Sequence, residues 1–113
     1  RTGVGVGNFH TGADLSGCKI GDEVIAADGG VVTFSGDGGT YGILVKILHE
    51  DGVETYYAHM RVATVKEGER VYKGQKVGEV GVTGVTTGPH LHFEVRIDGN
   101  PVNPVNYLPK KRR

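Results

Sequence analysis

Five histidines carry the chemical interest of this sequence: His10, His49, His59, His90 and His92. Imidazole both ligates metals and moves protons near neutral pH. His90 and His92 lie in Gly88-Pro89-His90-Leu91-His92-Phe93-Glu94-Val95-Arg96, where the proline restricts the entry and a strand begins. Residues i and i+2 of a strand share a face, so both imidazoles project together, opposite Leu91 and Phe93. Two imidazoles set side by side need a metal, a shared reacting water or an exposed strand face to accommodate them. The spacing does not say which of the two would bind a metal.

A second candidate is Phe9-His10-Thr11-Gly12-Ala13-Asp14. Gly12 permits a turn that brings His10 and Asp14 to one centre, and an imidazole nitrogen with a carboxylate oxygen suits zinc. Taken alone, the segment reads equally as a loop histidine beside an aspartate that caps a turn. His59 ends the strand-like Glu54-Thr55-Tyr56-Tyr57-Ala58-His59, a position where β scaffolds present functional side chains. His49 precedes a turn and reads as a surface residue. Catalytic zinc takes three protein ligands and keeps a position open. Two histidines and one carboxylate from distant segments make such a set, with two imidazoles left to act on the reaction. The sole cysteine, Cys18, allows no internal disulfide. Gly17-Cys18-Lys19 matches no thiol-enzyme pattern, so it reads as a small hydrophobe.

The elements that must position these residues are strands. No segment keeps a helical apolar period for three turns without a glycine or proline. The 20 glycines among 113 residues mark tight turns between short strands. Val31–Phe34, Ile43–His49, Val53–His59 and Leu91–Ile97 read as strands. Asp51-Gly52 and Asp98-Gly99 read as hairpin turns. Valine and glycine alternate in short units over 65–81, which suits tight β-turns in a small sheet. Pro101, Pro104 and Pro109 keep the segment from Asn100 out of a central ladder, so it reads as a surface strap. The expectation is an all-β fold: a small antiparallel β-sheet domain, with glycine-rich loops walling an active-site groove. Ser35–Tyr41 is one such wall. Glu94, two residues after His92 on the same strand face, is a candidate to orient a ligand imidazole.

Length fits a single domain over 1–113, with its core over about 9–108 and a basic tail over 109–113. Formal net charge is zero, so no nucleic-acid partner is indicated, and Lys110-Lys111-Arg112-Arg113 reads as a solvated tail. No run approaches the roughly 20 apolar residues of a membrane span, so no membrane insertion is expected. The chain opens with neither a signal peptide nor an initiator methionine, and reads as a processed or excised monomeric domain of a larger protein.

In combination these motifs resemble the lysostaphin-like, or LytM-type, zinc endopeptidases of the M23 family. Three features carry the resemblance: His10-Thr11-Gly12-Ala13-Asp14, Tyr57-Ala58-His59, and the small-residue loop from Thr83 leading into His90-Leu91-His92-Phe93-Glu94. The segment Gly21–Val32 and the Val71–Gln75 region match as well. The resemblance implies one Zn2+ per domain, held by His10, Asp14 and His92, with His59 and His90 as non-ligand catalytic histidines. It also implies a peptidoglycan peptide substrate, and work outside the membrane in the periplasm, the cell wall or a phage particle. A D-alanyl–diamino acid bond is the expected target, with a glycyl-glycine bond of a pentaglycine bridge as the alternative. A non-enzymatic activator or wall-binding module is the competing reading, although all five motif residues are retained. A biotinyl- or lipoyl-type carrier, suggested by the hairpin region near Gln75, would leave the histidines unexplained.

Overall fold

The two Asp-Gly pairs set the frame of the fold. A two-residue hairpin loop matches the twist of its strands when both central residues have positive φ, which favours Asp-Gly. Asp51 and Gly52 have φ of 61° and 74°, and Asp98 and Gly99 have 52° and 85°. The second pair is such a loop, turning β9 (Leu91–Ile97) into β10 (Asn100–Val102), whereas the first pair ends a longer connection over 49–52, with a 3-10 turn at Glu50–Gly52, that joins β5 (Ile43–Leu48) to β6 (Val53–Ala63). In this computed structural model the backbone is described for residues 5–6, 13–16, 20–83 and 91–102, and side chains for 20–83 and 92–102.

The remaining strands are β1 (Gly5–Val6), β2 (Ala13–Ser16), β3 (Glu23–Ile25), β4 (Gly30–Asp37), β7 (Arg70–Val71) and β8 (Lys76–Val80). All pairings are antiparallel, and one sheet runs β1-β2-β9-β6-β5-β4-β7. The all-β expectation holds: the only helical pieces among the described residues are 3-10 turns at Gly39–Tyr41 and Glu50–Gly52.

Strand β6 changes partner partway along. Val53–Ala58 pairs with β9, whereas Met60–Ala63 pairs with β8, which in turn carries β3. On the other side, β6 pairs with β5 from Glu54 to Met60, but the register slips: Ile43 faces Met60 while Val45 faces Tyr57. Two residues of β6, Ala58 and His59, therefore oppose the single Leu44. That is a β-bulge, and His59 takes its left-handed conformation with φ of 63°. The sheet splits here, β9 continuing on one branch and β8 on the other.

Alternation along β6 and β9 gives the sheet two different faces. Tyr57, Phe93, Val95, Val45 and Ile47 turn to the main core with Val24, Val32, Met60 and Val77, all of them buried. Tyr57 and Phe93 are cross-strand neighbours with ring centroids 5.5 Å apart. Burying each such side chain is worth about 1.5–3 kcal/mol. The opposite face carries a smaller cluster of Leu44, Tyr56 and Ala58, against which Phe34 and Tyr41 pack.

Three expectations need correction. The strand expected to end at His59 runs on to Ala63, because a bulge absorbs the irregularity without ending the ladder. The segment from Asn100, read as a strap outside the central ladder, begins as an edge strand: Asn100–Val102 pairs with Ile97–Val95, where Pro101 is tolerated, and 103–113 lie outside the described residues. The strand read at Val31–Phe34 extends to Asp37, with its own register shift near Thr33.

Candidate active site

The groove face of β9 presents His92, Glu94 and Arg96 in sequence. Glu94 is 0% exposed, and its carboxylate is fully engaged. Its Oε2 accepts from the Tyr41 hydroxyl at 2.6 Å and lies 2.8 Å from His92 Nε2. Its Oε1 accepts from Arg96 Nε at 3.0 Å and Nη2 at 2.7 Å. Burial pushes the Glu94 carboxyl up, but the hydrogen bonds from His92, Tyr41 and Arg96 and the Arg96 charge outweigh it. They hold the group below the ordinary glutamate range. Burial, together with Glu94 as hydrogen-bond partner and neighbouring charge, raises the Tyr41 hydroxyl to about 12, so it stays a donor.

Glu94 was legible from the sequence as a partner of His92; its other two partners were not. Tyr41 arrives from the short turn after β4, and its ring lies 5.9 Å from that of His92 and 6.2 Å from that of Tyr56. The glycine-rich segment thus reaches this cluster through its tyrosine. Arg96 stacks over Tyr56 with its guanidinium carbon 4.8 Å from the ring centroid, and Lys46 caps the same ring at 4.7 Å.

His59 reaches the same place from the bulge of β6. It is 7% exposed, and its ring lies 5.9 Å from that of His92. Its Nδ1 is 2.8 Å from the Thr83 carbonyl oxygen. A carbonyl only accepts, so Nδ1 carries the proton and, in the neutral ring, Nε2 carries the lone pair. The backbone register sets Asp14 of β2 directly opposite His92, which on its other side faces Ala58 of β6. The fold thus aligns β2, β9 and the bulged part of β6 side by side. His10, His90 and Cys18 lie outside the described residues, and of Asp14 only the backbone is described.

One expected donor, His92, is placed as a zinc ligand would be. A ligand imidazole ordinarily has its second nitrogen on a carboxylate that fixes the tautomer, and His92 has that arrangement with Glu94. Among the described residues no three His, Cys, Asp or Glu side chains gather into a metal-binding group; His92 is the one expected ligand whose side chain is described.

His49 is not the surface residue its position before a turn suggested. Its Nδ1 donates to the Gly29 carbonyl at 2.7 Å, and its Nε2 lies 2.8 Å from Thr55 Oγ1. Thr55 in turn sits 2.7 Å from the Tyr57 hydroxyl, which accepts from Ala27 N–H at 2.9 Å. It is a structural histidine on the core face, remote in role from the groove.

Comparison with known proteins agrees with this architecture. The model of peptidase family M23 matches residues 8–104, and the chain belongs to that family. It is 50% identical over 98 residues to the DD-carboxypeptidase/endopeptidase Mpg of Neisseria meningitidis serogroup B, an alignment covering 87% of this chain and 22% of that protein. It is 41% identical over 103 residues to the murein hydrolase activator NlpD of Escherichia coli K12, covering 90% of this chain and 27% of that one. Among solved structures, a zinc-containing peptidase from Vibrio cholerae superposes with a TM-score of 0.78 at 38% identity, covering 82% of this chain and 28% of the other. The chain thus spans less than a third of the length of these relatives.

Proposed function

We propose that this domain is a zinc-dependent endopeptidase that hydrolyses peptide cross-links of bacterial peptidoglycan, at D-alanyl–diamino acid bonds. The observation that carries the reading is the buried Glu94 carboxylate on His92 Nε2, with His59 beside it in the Nδ1–H tautomer. The 50% identity to a DD-carboxypeptidase/endopeptidase supports the choice of bond.

In this reading His10, Asp14 and His92 hold one zinc ion. Zinc, when bound, supplies Lewis acidity, polarising the scissile carbonyl and lowering the pKa of water. His59 takes the proton of the attacking water at Nε2, and its Nδ1–H stays on the Thr83 carbonyl throughout. His90 hydrogen-bonds the developing oxyanion or returns a proton to the leaving amine. Glu94 keeps the His92 ring oriented and, with Arg96 and Tyr41, stays ionised where it is buried. The working location is outside the cytoplasmic membrane, as one domain of a longer protein.

The relation to a murein hydrolase activator favours a second reading, a domain that binds the wall without cutting it. The four motif histidines and the aspartate, all retained, weigh against it. Incubating the zinc-loaded domain with defined muropeptides separates the possibilities. D-Ala–diamino acid dimers should be cut to monomers by mass analysis, while pentaglycine-bridged dimers stay intact. One bound zinc with neither dimer cleaved would sink the enzymatic reading.

A further inference from the structure

Thr83 follows β8 and lies beside the point where β6 changes partner from β9 to β8. Two backbone groups and one imidazole converge on it. Its hydroxyl accepts from Ile43 N–H, at the start of β5, at 2.9 Å. The same hydroxyl donates to the Met60 carbonyl, one residue past the bulge. Its own carbonyl accepts Nδ1–H of His59 at 2.8 Å. Gly42 forms the seat: with φ of +68°, it brings backbone so close that a Cβ there would lie 2.4 Å from the Thr83 carbonyl carbon and 2.5 Å from its oxygen and Oγ1. A left-handed conformation costs a non-glycine residue roughly 1–3 kcal/mol and persists only where its surroundings over-determine it. At His59 those surroundings include Thr83, which holds the ring itself and the Ile43–Met60 pair that follows the bulge.

We propose that Thr83 is a positioning residue: its hydroxyl pins the connection after β8 to β5 and β6, so that its carbonyl holds His59 in the Nδ1–H tautomer with the Nε2 lone pair directed to the reaction. This inference rests on His59 acting as the base. The hydroxyl is the part that substitution can reach. Without it, Ile43 N–H and Met60 C=O lose their partner, and the carbonyl is no longer held against the ring. A base displaced by about an ångström loses on the order of 10²-fold in rate.

The test compares Thr83→Val and Thr83→Ser in the zinc-loaded domain. Long-range ¹⁵N–¹H correlation of the histidine rings reads the tautomer without any turnover. Wild type and Thr83→Ser should show His59 protonated at Nδ1; Thr83→Val should show the Nε2–H form or a mixture. With the muropeptide dimer as substrate, Thr83→Val should lose roughly 10–100-fold in kcat, with KM and zinc content unchanged, and Thr83→Ser should recover to within a few-fold. If Thr83→Val does not fold, Thr83→Ala removes the same hydroxyl without crowding, and the same results are expected. An Nδ1–H signal unchanged in Thr83→Val, or Val and Ser variants equally impaired, overturns the proposal. A wild-type domain that cuts nothing, yet shows the tautomer change in Thr83→Val and its recovery in Thr83→Ser, retains the clamp and rejects the enzymatic reading instead.

Discussion

The two faces of β6 and β9 carry two polar networks that differ in kind. On the core face, Ala27 N–H, Tyr57, Thr55, His49 and the Gly29 carbonyl form one uncharged chain. Each hydroxyl can accept from one neighbour and donate to the next, so the chain closes without a charge. It ties the β5–β6 hairpin to the backbone around Ala27–Gly29. On the groove face, a fully buried carboxylate receives hydrogen bonds from Tyr41, His92 and Arg96. Burying a charge costs several kcal/mol before its partners compensate, and a well-packed apolar substitute is often as stable. The core network is accounted for by folding alone. The groove network makes sense through what it does to His92. Among the described residues no buried side-chain nitrogen or oxygen lacks a hydrogen-bond partner, so both networks are complete.

Substitutions should separate the faces. The largest effects belong to the groove. His92→Ala should lose bound zinc and hydrolysis together, as should His10→Ala and Asp14→Ala. His59→Ala should keep its zinc, measured by elemental analysis, while kcat falls roughly 10²–10⁴-fold. A metal-free His92→Ala variant that still cuts muropeptides would remove the basis of the comparison.

Next comes Glu94→Gln, which keeps the shape of the side chain and removes its charge. Loss of an outer-shell carboxylate lowers metal affinity about 10–100-fold, readable by competition with a chelating dye. Unchanged affinity would mean that the groove network is as purely structural as the other.

On the core face the expected effects are on stability. Thr55→Val removes the acceptor of the Tyr57 hydroxyl and the partner of His49 Nε2, and should cost about 1–3 kcal/mol in chemical denaturation, with kcat per folded molecule unchanged. A fall in kcat would show that the faces are coupled.

The smallest effect is a pH dependence. Burial first, with a lesser contribution from the charge of Asp28, raises the Tyr57 phenol from 10.0 to about 12 against the opposing hydrogen bonds of Ala27 and Thr55. Between those values the unfolded chain releases this proton and the folded chain keeps it, so stability falls as pH rises above 10. The loss from this group should reach about 1.4 kcal/mol at pH 11. It should vanish in Tyr57→Phe, measured by denaturant unfolding at pH 8 and pH 11.

Local features of the sequence were enough for the pool of chemistry and the strand framework. The Asp-Gly pairs demand positive φ and so mark both hairpins. The two-residue period of Leu91–Ile97 assigns His92 and Glu94 to one face, and Phe93 and Val95 to the other. Such signals are local because backbone sterics and side-chain alternation act within a few residues.

What tertiary structure alone decided lies across long separations. Tyr41 meets Glu94 from 53 positions away, and Thr83 meets His59 from 24. Neither tyrosine nor threonine has a spacing that announces such a contact. His49 and His59 are both histidines near strand ends by sequence, yet one joins the hydrogen-bonded chain of Thr55 and Tyr57 and the other stands beside His92. The bulge at Ala58–His59 and the split of β6 between β9 and β8 separate their fates. A bulge is set by the register of three strands at once, so it exists only when the sheet has formed.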